Sequence, residues 1–78
     1  MPRFYFHVHD DVTVRDDEGL ELGDASAALR EAIAGARAMI CEGVRRGEVH
    51  LGHRIEVEDE GGAPIAEIVF RDAVRILG

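Results

Sequence analysis

The chain has 78 residues, of which 16 are acidic and 9 basic, giving a net charge of −7, and 46% are hydrophobic. So much acid argues against a phosphate-backbone binder, whose affinity comes from cations that release counterions, and favours solubility. A chain this short forms one domain with a stability of order 5 kcal/mol, so packing against a second chain would be a useful supplement.

Residues 3–9 alternate in character. Phe4, Phe6 and Val8 fall on one side of a strand, and Arg3, Tyr5, His7 and His9 on the other. Pro2 suits a strand start, where a missing N–H is harmless. Asp10-Asp11 reads as a turn, and Val12–Arg15 as a second strand with Val12 and Val14 inward. Asp16-Asp17-Glu18-Gly19 is a second turn, with glycine supplying a positive φ, and Leu20-Glu21-Leu22 continues extended.

Asp24 is a good N-cap for the alanine-rich run that follows, and Gly47 is the expected stop, so a helix is expected over about residues 25–46. Leu29, Ile33, Ala36, Ile40 and Val44 make one narrow apolar stripe, widened by Ala25, Ala32 and Met39. Arg30, Arg37, Arg45, Glu31 and Glu42 occupy the far side, with Glu42 placed to meet Arg46 at i+4. Gly43 projects near the stripe and suggests close approach to a sheet, whereas Gly35 lies off it and has no evident reason to be glycine.

After the loop through His50 and His53, Ile55 and Val57 alternate with Arg54, Glu56 and Glu58. Asp59-Glu60-Gly61-Gly62 turns the chain, and Ile65–Phe70 returns it as the second arm of a hairpin. Residues 71–77 fit either one more helical turn capped by Asp72 or an extension of the strand. The order β-β-α-β-β implies an α+β fold, a two-layer sandwich with one long helix on an antiparallel sheet. One helix leaves the second sheet face partly open. That face would carry Tyr5, His7, His9, Ile65 and Val69 beside Glu56 and Glu67, a mixed surface suited to a protein partner.

His7 and His9 would lie about 7 Å apart on that face, a spacing from which two imidazoles can serve one metal ion. Such a site needs third and fourth ligands, and His50 and His53 stand far off in sequence, so His7 and His9 are weak metal candidates. The acidic turn lacks the alternating oxygen ligands of a calcium loop. Cys41 has no histidine near it in sequence to activate it. Neither a glycine-rich phosphate loop nor a serine-centred motif is present. The residues therefore point to no catalysis and no cofactor.

All nine cations are arginine, which fits a GC-rich genome. A lone cysteine, with no leader-like segment and no apolar run near the ~20 residues of a membrane span, fits a cytoplasmic protein without membrane association.

MPRFYFHVHDD, then Asp16-Asp17-Glu18-Gly19-Leu20-Glu21-Leu22, then Asp72-Ala73-Val74, resemble a family of small uncharacterised bacterial proteins common in alphaproteobacteria. Those proteins begin M-P-R-[YF]-[YF]-F-H, carry D-x-E-G-x-E-L before the helix and have a D-A-V-like segment near the end. The resemblance covers nearly the whole chain but implies no activity. Where the family usually has Asp-Gly in the first turn, this chain has Asp11. A shorter likeness, the acidic-Gly turn before an alanine-rich helix, is similar to the antitoxin halves of bacterial toxin–antitoxin pairs. The leading expectation is a non-enzymatic interaction domain that self-associates or binds a protein, without nucleic acid. A metal- or ligand-binding protein using His7 and His9 is the alternative, and an antitoxin-like regulatory module the third.

Overall fold

Alternation over the first residues does produce a strand. In the computed structural model, which describes residues 1–78, β1 is Arg3–His9, β2 Thr13–Val14, β3 Leu20–Glu21, α1 Ala25–Arg45, β4 Arg54–Glu58 and β5 Pro64–Val69, followed by a 3-10 turn at Phe70–Asp72. The fold is the expected α+β arrangement of one helix on an antiparallel sheet, with Leu20–Glu21 added as a third short strand before the helix. The sheet order is β2-β1-β4-β5, and β3 shares the outer edge of β1 with β2. Phe6 lies opposite Val57, and Val57 opposite Ala66, so these residues share the face turned to the helix. His7, Glu56 and Glu67 form the equivalent row on the other face. A bulge at Val57/Glu58 ends the regular β4–β5 pairing near the turn.

Helix α1 begins where expected. The Asp24 side chain accepts from the Ala27 N–H at 2.8 Å, satisfying one of the donors orphaned at a helix start. At the other end Arg46 is the C-cap and Gly47 adopts φ +82°. Arg46 pairs with Glu48 at 3.5 Å, not with Glu42, because the chain folds back at Gly47 and carries Glu48 alongside. The same reversal explains Gly43. The Glu48 N–H donates to the Gly43 carbonyl at 2.9 Å, and a Cβ at 43 would stand 3.0 Å from the Glu48 carbonyl oxygen. Gly43 thus admits the returning loop, where the sequence suggested the sheet.

The buried side of α1 takes the small members of the expected stripe, Ala32 and Ala36, and leaves out its large ones. Ala28, Ala32, Ala36 and Gly43 are buried, Ile33 and Ile40 pack at the margin, and Leu29, Met39 and Val44 are exposed. A seam of small side chains lets the helix settle close onto Phe4, Ile55, Val57 and Phe70, which with Ala73 complete the core. Hydrophobic periodicity marks which side of a helix is apolar. It weights large residues over small ones and so misses a seam chosen for close approach. Gly35 lies along this seam: a Cβ there would meet only the Ile55 Cδ1, at an ordinary 3.6 Å.

Val12 and Val14, expected inward, are 67% and 54% exposed, because Val12 falls in the turn before β2 and β2 itself is only a two-residue edge. Residues 70–72 resolve as a 3-10 turn whose N-cap is Val69, so Asp72 caps nothing. Ala73 is buried, and its carbonyl accepts from Arg37 Nε at 2.7 Å. Arg37 therefore anchors the chain after β5, a role its position on the polar side of the helix did not suggest.

Gly35→Ala should stabilise the fold by roughly 0.5–1 kcal/mol, since alanine restores helix propensity and the new methyl meets no clash. Urea denaturation measures it, and a lower midpoint would show that the seam has no room at this position.

Candidate functional site

The outer edge of β1 poses a hydrogen-bonding problem. β3 pairs at Arg3 and Phe4, β2 pairs at Val8 and His9, and Phe6 falls in the gap between them. The Asp16 carboxylate fills that gap. Its Oδ2 accepts the Phe6 N–H at 3.1 Å, while Oδ1 accepts the N–H groups of Glu18 and Gly19 at 3.1 and 3.0 Å. Gly19 completes the clamp. It sits at φ +70°, and a Cβ there would lie 2.8 Å from Arg3 Cγ and 2.9 Å from both the Phe4 carbonyl and the Tyr5 ring. Only glycine meets both demands. Burial pushes the Asp16 carboxyl upward, but the Gly19, Phe6 and Glu18 N–H donors and the nearby His7 together hold it below its ordinary value.

Segment 15–19 therefore lies over the sheet face opposite the helix and covers His7, which is 2% exposed. The expectation that His7 stands on an open face is corrected here: the clamp that closes the edge also roofs the ring. The Asp16 backbone N–H donates to His7 Nδ1 at 3.0 Å. Since Nδ1 accepts, Nε2 carries the proton and donates to Glu58 Oε1 at 2.7 Å. Arg15 approaches that same carboxylate oxygen at 3.7 Å. Its 3.4 Å separation from Nε2 is then a contact between two protonated nitrogens and not a hydrogen bond. With both ring nitrogens engaged, His7 presents no free lone pair to a substrate or metal.

The rest of that face is a ladder of pairs. His9 Nε2 lies 3.4 Å from Glu56, its Nδ1 lies 3.2 Å from the Thr13 hydroxyl, and Arg54 Nε donates to Glu67 at 3.1 Å. Tyr5, His9 and Val69 are half-buried and Ile65 is 39% exposed. Of the five residues expected on an open face, His7 alone is closed off. No group of three or more His, Cys, Asp or Glu side chains is placed to hold a metal ion, so His7 and His9 are not joined by further ligands.

A second concavity went unread in the sequence. His50 and His53 stack at 4.5 Å with ring planes 6° apart, and His53 meets the Phe70 ring edge-on. Together with Asp10, Asp11, Arg46 and Glu48 they line a cleft of about 270 Å³ at the C-terminal end of the helix. The fold thus gathers the aspartates of His-Val-His-Asp-Asp with the other two histidines, and leaves His7 and His9 on the sheet. His50-x-x-His53 beside Gly52 was the available signal. Cys41 is exposed on the helix.

Two measurements follow. Nitrogen NMR of the His7 ring should report the Nε2–H tautomer with Nδ1 unprotonated, and a ring protonated at Nδ1 at neutral pH would contradict the network. Asp16→Ala should lose roughly 2–3 kcal/mol, three solvent-screened hydrogen bonds at about 1 kcal/mol each. Because the Asp16 carboxyl is lowered on folding, its contribution is complete above the ordinary value of about 4 and is lost as pH falls through the folded one. Wild-type stability should accordingly decline more steeply than that of Asp16→Asn in acid, and parallel curves would refute this.

The sequence profile of a family described as "Domain of unknown function (DUF6894)" matches residues 3–71. That span takes in β1, the Asp16–Gly19 clamp and both halves of the sheet. No curated protein and no solved structure matches the chain.

Proposed function

The chain belongs to the DUF6894 family, of unknown function, and from that premise we propose that it is a non-catalytic interaction domain whose first partner is a second copy of itself. The supporting observation is the disposition of large apolar side chains. Among the buried apolar residues only Phe4, Ile55, Val57 and Phe70 are large, the other four being alanines. Eleven large hydrophobic residues are exposed, among them Val12, Val14, Leu20, Met39, Ile76 and Leu77. Single exposed apolar residues are ordinary, but eleven of them beside a fully buried core of eight residues, four of them alanine, leave the isolated chain with ample apolar surface for a partner. Burying part of it against a second chain supplies what a domain of this size lacks.

The engagement of both His7 nitrogens supports a non-catalytic reading. The acidic surface supports protein over nucleic acid as partner. No helix of the protein is long and apolar enough to cross a membrane, and a free, exposed cysteine is compatible with work in the cytoplasm.

Sedimentation velocity over a range of concentrations tests the proposal. A mass of at least twice the 8.6 kDa chain, falling towards one chain on dilution, is the expected result. A single chain throughout, up to millimolar concentration, would overturn it.

A further inference from the structure

Two features of the exposed apolar surface fit one another. The first is a groove of about 280 Å³ between the helix and the β1–β3 edge, lined chiefly by Phe6, Val8, Leu20, Gly35 and Met39, with Glu31 as its one charged residue. Its volume is nearly twice the roughly 150 Å³ of a cavity known to admit a benzene-sized group, so it has room for two aliphatic side chains. The second is the segment after the 3-10 turn, where Ile76 and Leu77 are 73% and 78% exposed, the least covered large apolar residues after Met1. Arg75 stands immediately before them.

The segment cannot fill the groove of its own chain. Ala73 is buried and tethered by Arg37, and Ile76 lies three residues on, within about 10 Å of that anchor even when fully extended. Gly35, on the groove, and Arg37, at the anchor, are two positions apart and so project from nearly opposite sides of a helix some 10–12 Å across with its side chains. The rival surface, the free edge of β5, is poorly made for self-pairing. It begins with Pro64 and lies beside the bulge. The backbone groups of Glu67 face outward, so the antiparallel pairing centred there sets two Glu67 side chains opposite each other.

We propose that Ile76 and Leu77 of one copy seat in the Phe6–Val8–Leu20–Met39 groove of a second copy, with Arg75 meeting Glu31, and that reciprocal seating closes a two-fold dimer. This rests on the self-association reading and gives it a surface. An acidic chain gains from this pairing, because residues 71–77 carry two arginines against one aspartate and the charge lining the groove is a glutamate. Exchange between two copies makes both contacts equivalent and leaves no apolar end free to propagate.

Sedimentation equilibrium of four variants decides it. Ile76→Asp with Leu77→Asp alters only exposed positions and leaves folding untouched. It should weaken the dimer roughly a hundredfold or more, since reciprocal seating withdraws two aliphatic side chains per copy, four in all, from burial. Met39→Glu should do the same from the groove side. Glu31→Arg should weaken association and Glu31→Arg with Arg75→Glu restore it, which neither a general folding defect nor a contact elsewhere would do. A dimer that keeps wild-type affinity in the segment variant overturns the seating while leaving self-association standing. A wild-type chain that never dimerises removes both.

Discussion

One carboxylate organises the half of the molecule that precedes the helix. β1 pairs on its inner edge with β4 over Tyr5–His9, but its outer edge is shared by two strands of two residues each. The Phe6 N–H between them would otherwise be left without a partner at the centre of a seven-residue strand. Asp16 takes that donor and two N–H groups of its own turn at once, holding segment 15–19 against the sheet. Everything else on that side follows: Gly19 fits against Tyr5, β3 can return to pair with Phe4, and the Asp16 amide closes over His7. Three points on one short loop thus act as a clasp. The Asp-x-Glu-Gly-x-Glu-Leu pattern seen in the sequence has a structural reason in Asp16 and Gly19, independent of any chemistry.

The helix side works by a different economy. Alanines and glycine along the seam bring the backbone of α1 close to the sheet, and the large residues that would ordinarily fill such a layer are pushed to the flanks. Met39 and Gly35 then border a groove with Phe6, Val8 and Leu20. Close packing at the centre and exposed apolar surface at the margin are two results of one choice of side chains. This links the stability of the single chain to its association: a helix held off by larger residues would fill its own groove.

Much of the fold was legible in the residues. Asp24 and Gly47 bounded the helix, alternation marked β1 and β4, and Asp59 to Gly62 marked the hairpin turn, since each of these signals acts over a few residues. The rotation of the helix was legible only in part: Ala32 and Ala36 stood in the expected stripe and are buried, but Ala28 did not, because alanine carries little weight beside large residues although it decides how near the sheet can come. Nor was the burial of His7. Strand periodicity assigns a side chain to a face but cannot say whether a loop nine residues on will fold back over that face. The meeting of Asp10 and Asp11 with His50 and His53 depends on the helix returning its C-terminal end to the β1–β2 turn, a long-range outcome with no local mark.

Hydrogen exchange at the Phe6 amide tests the clasp most directly. With Asp16 as its acceptor, that amide should exchange as slowly as its strand neighbours, and in Asp16→Ala it should exchange like a loop while Val57 in β4 stays protected. An equally slow Phe6 amide in Asp16→Ala would mean that the edge of β1 is closed by something other than the Asp16 carboxylate.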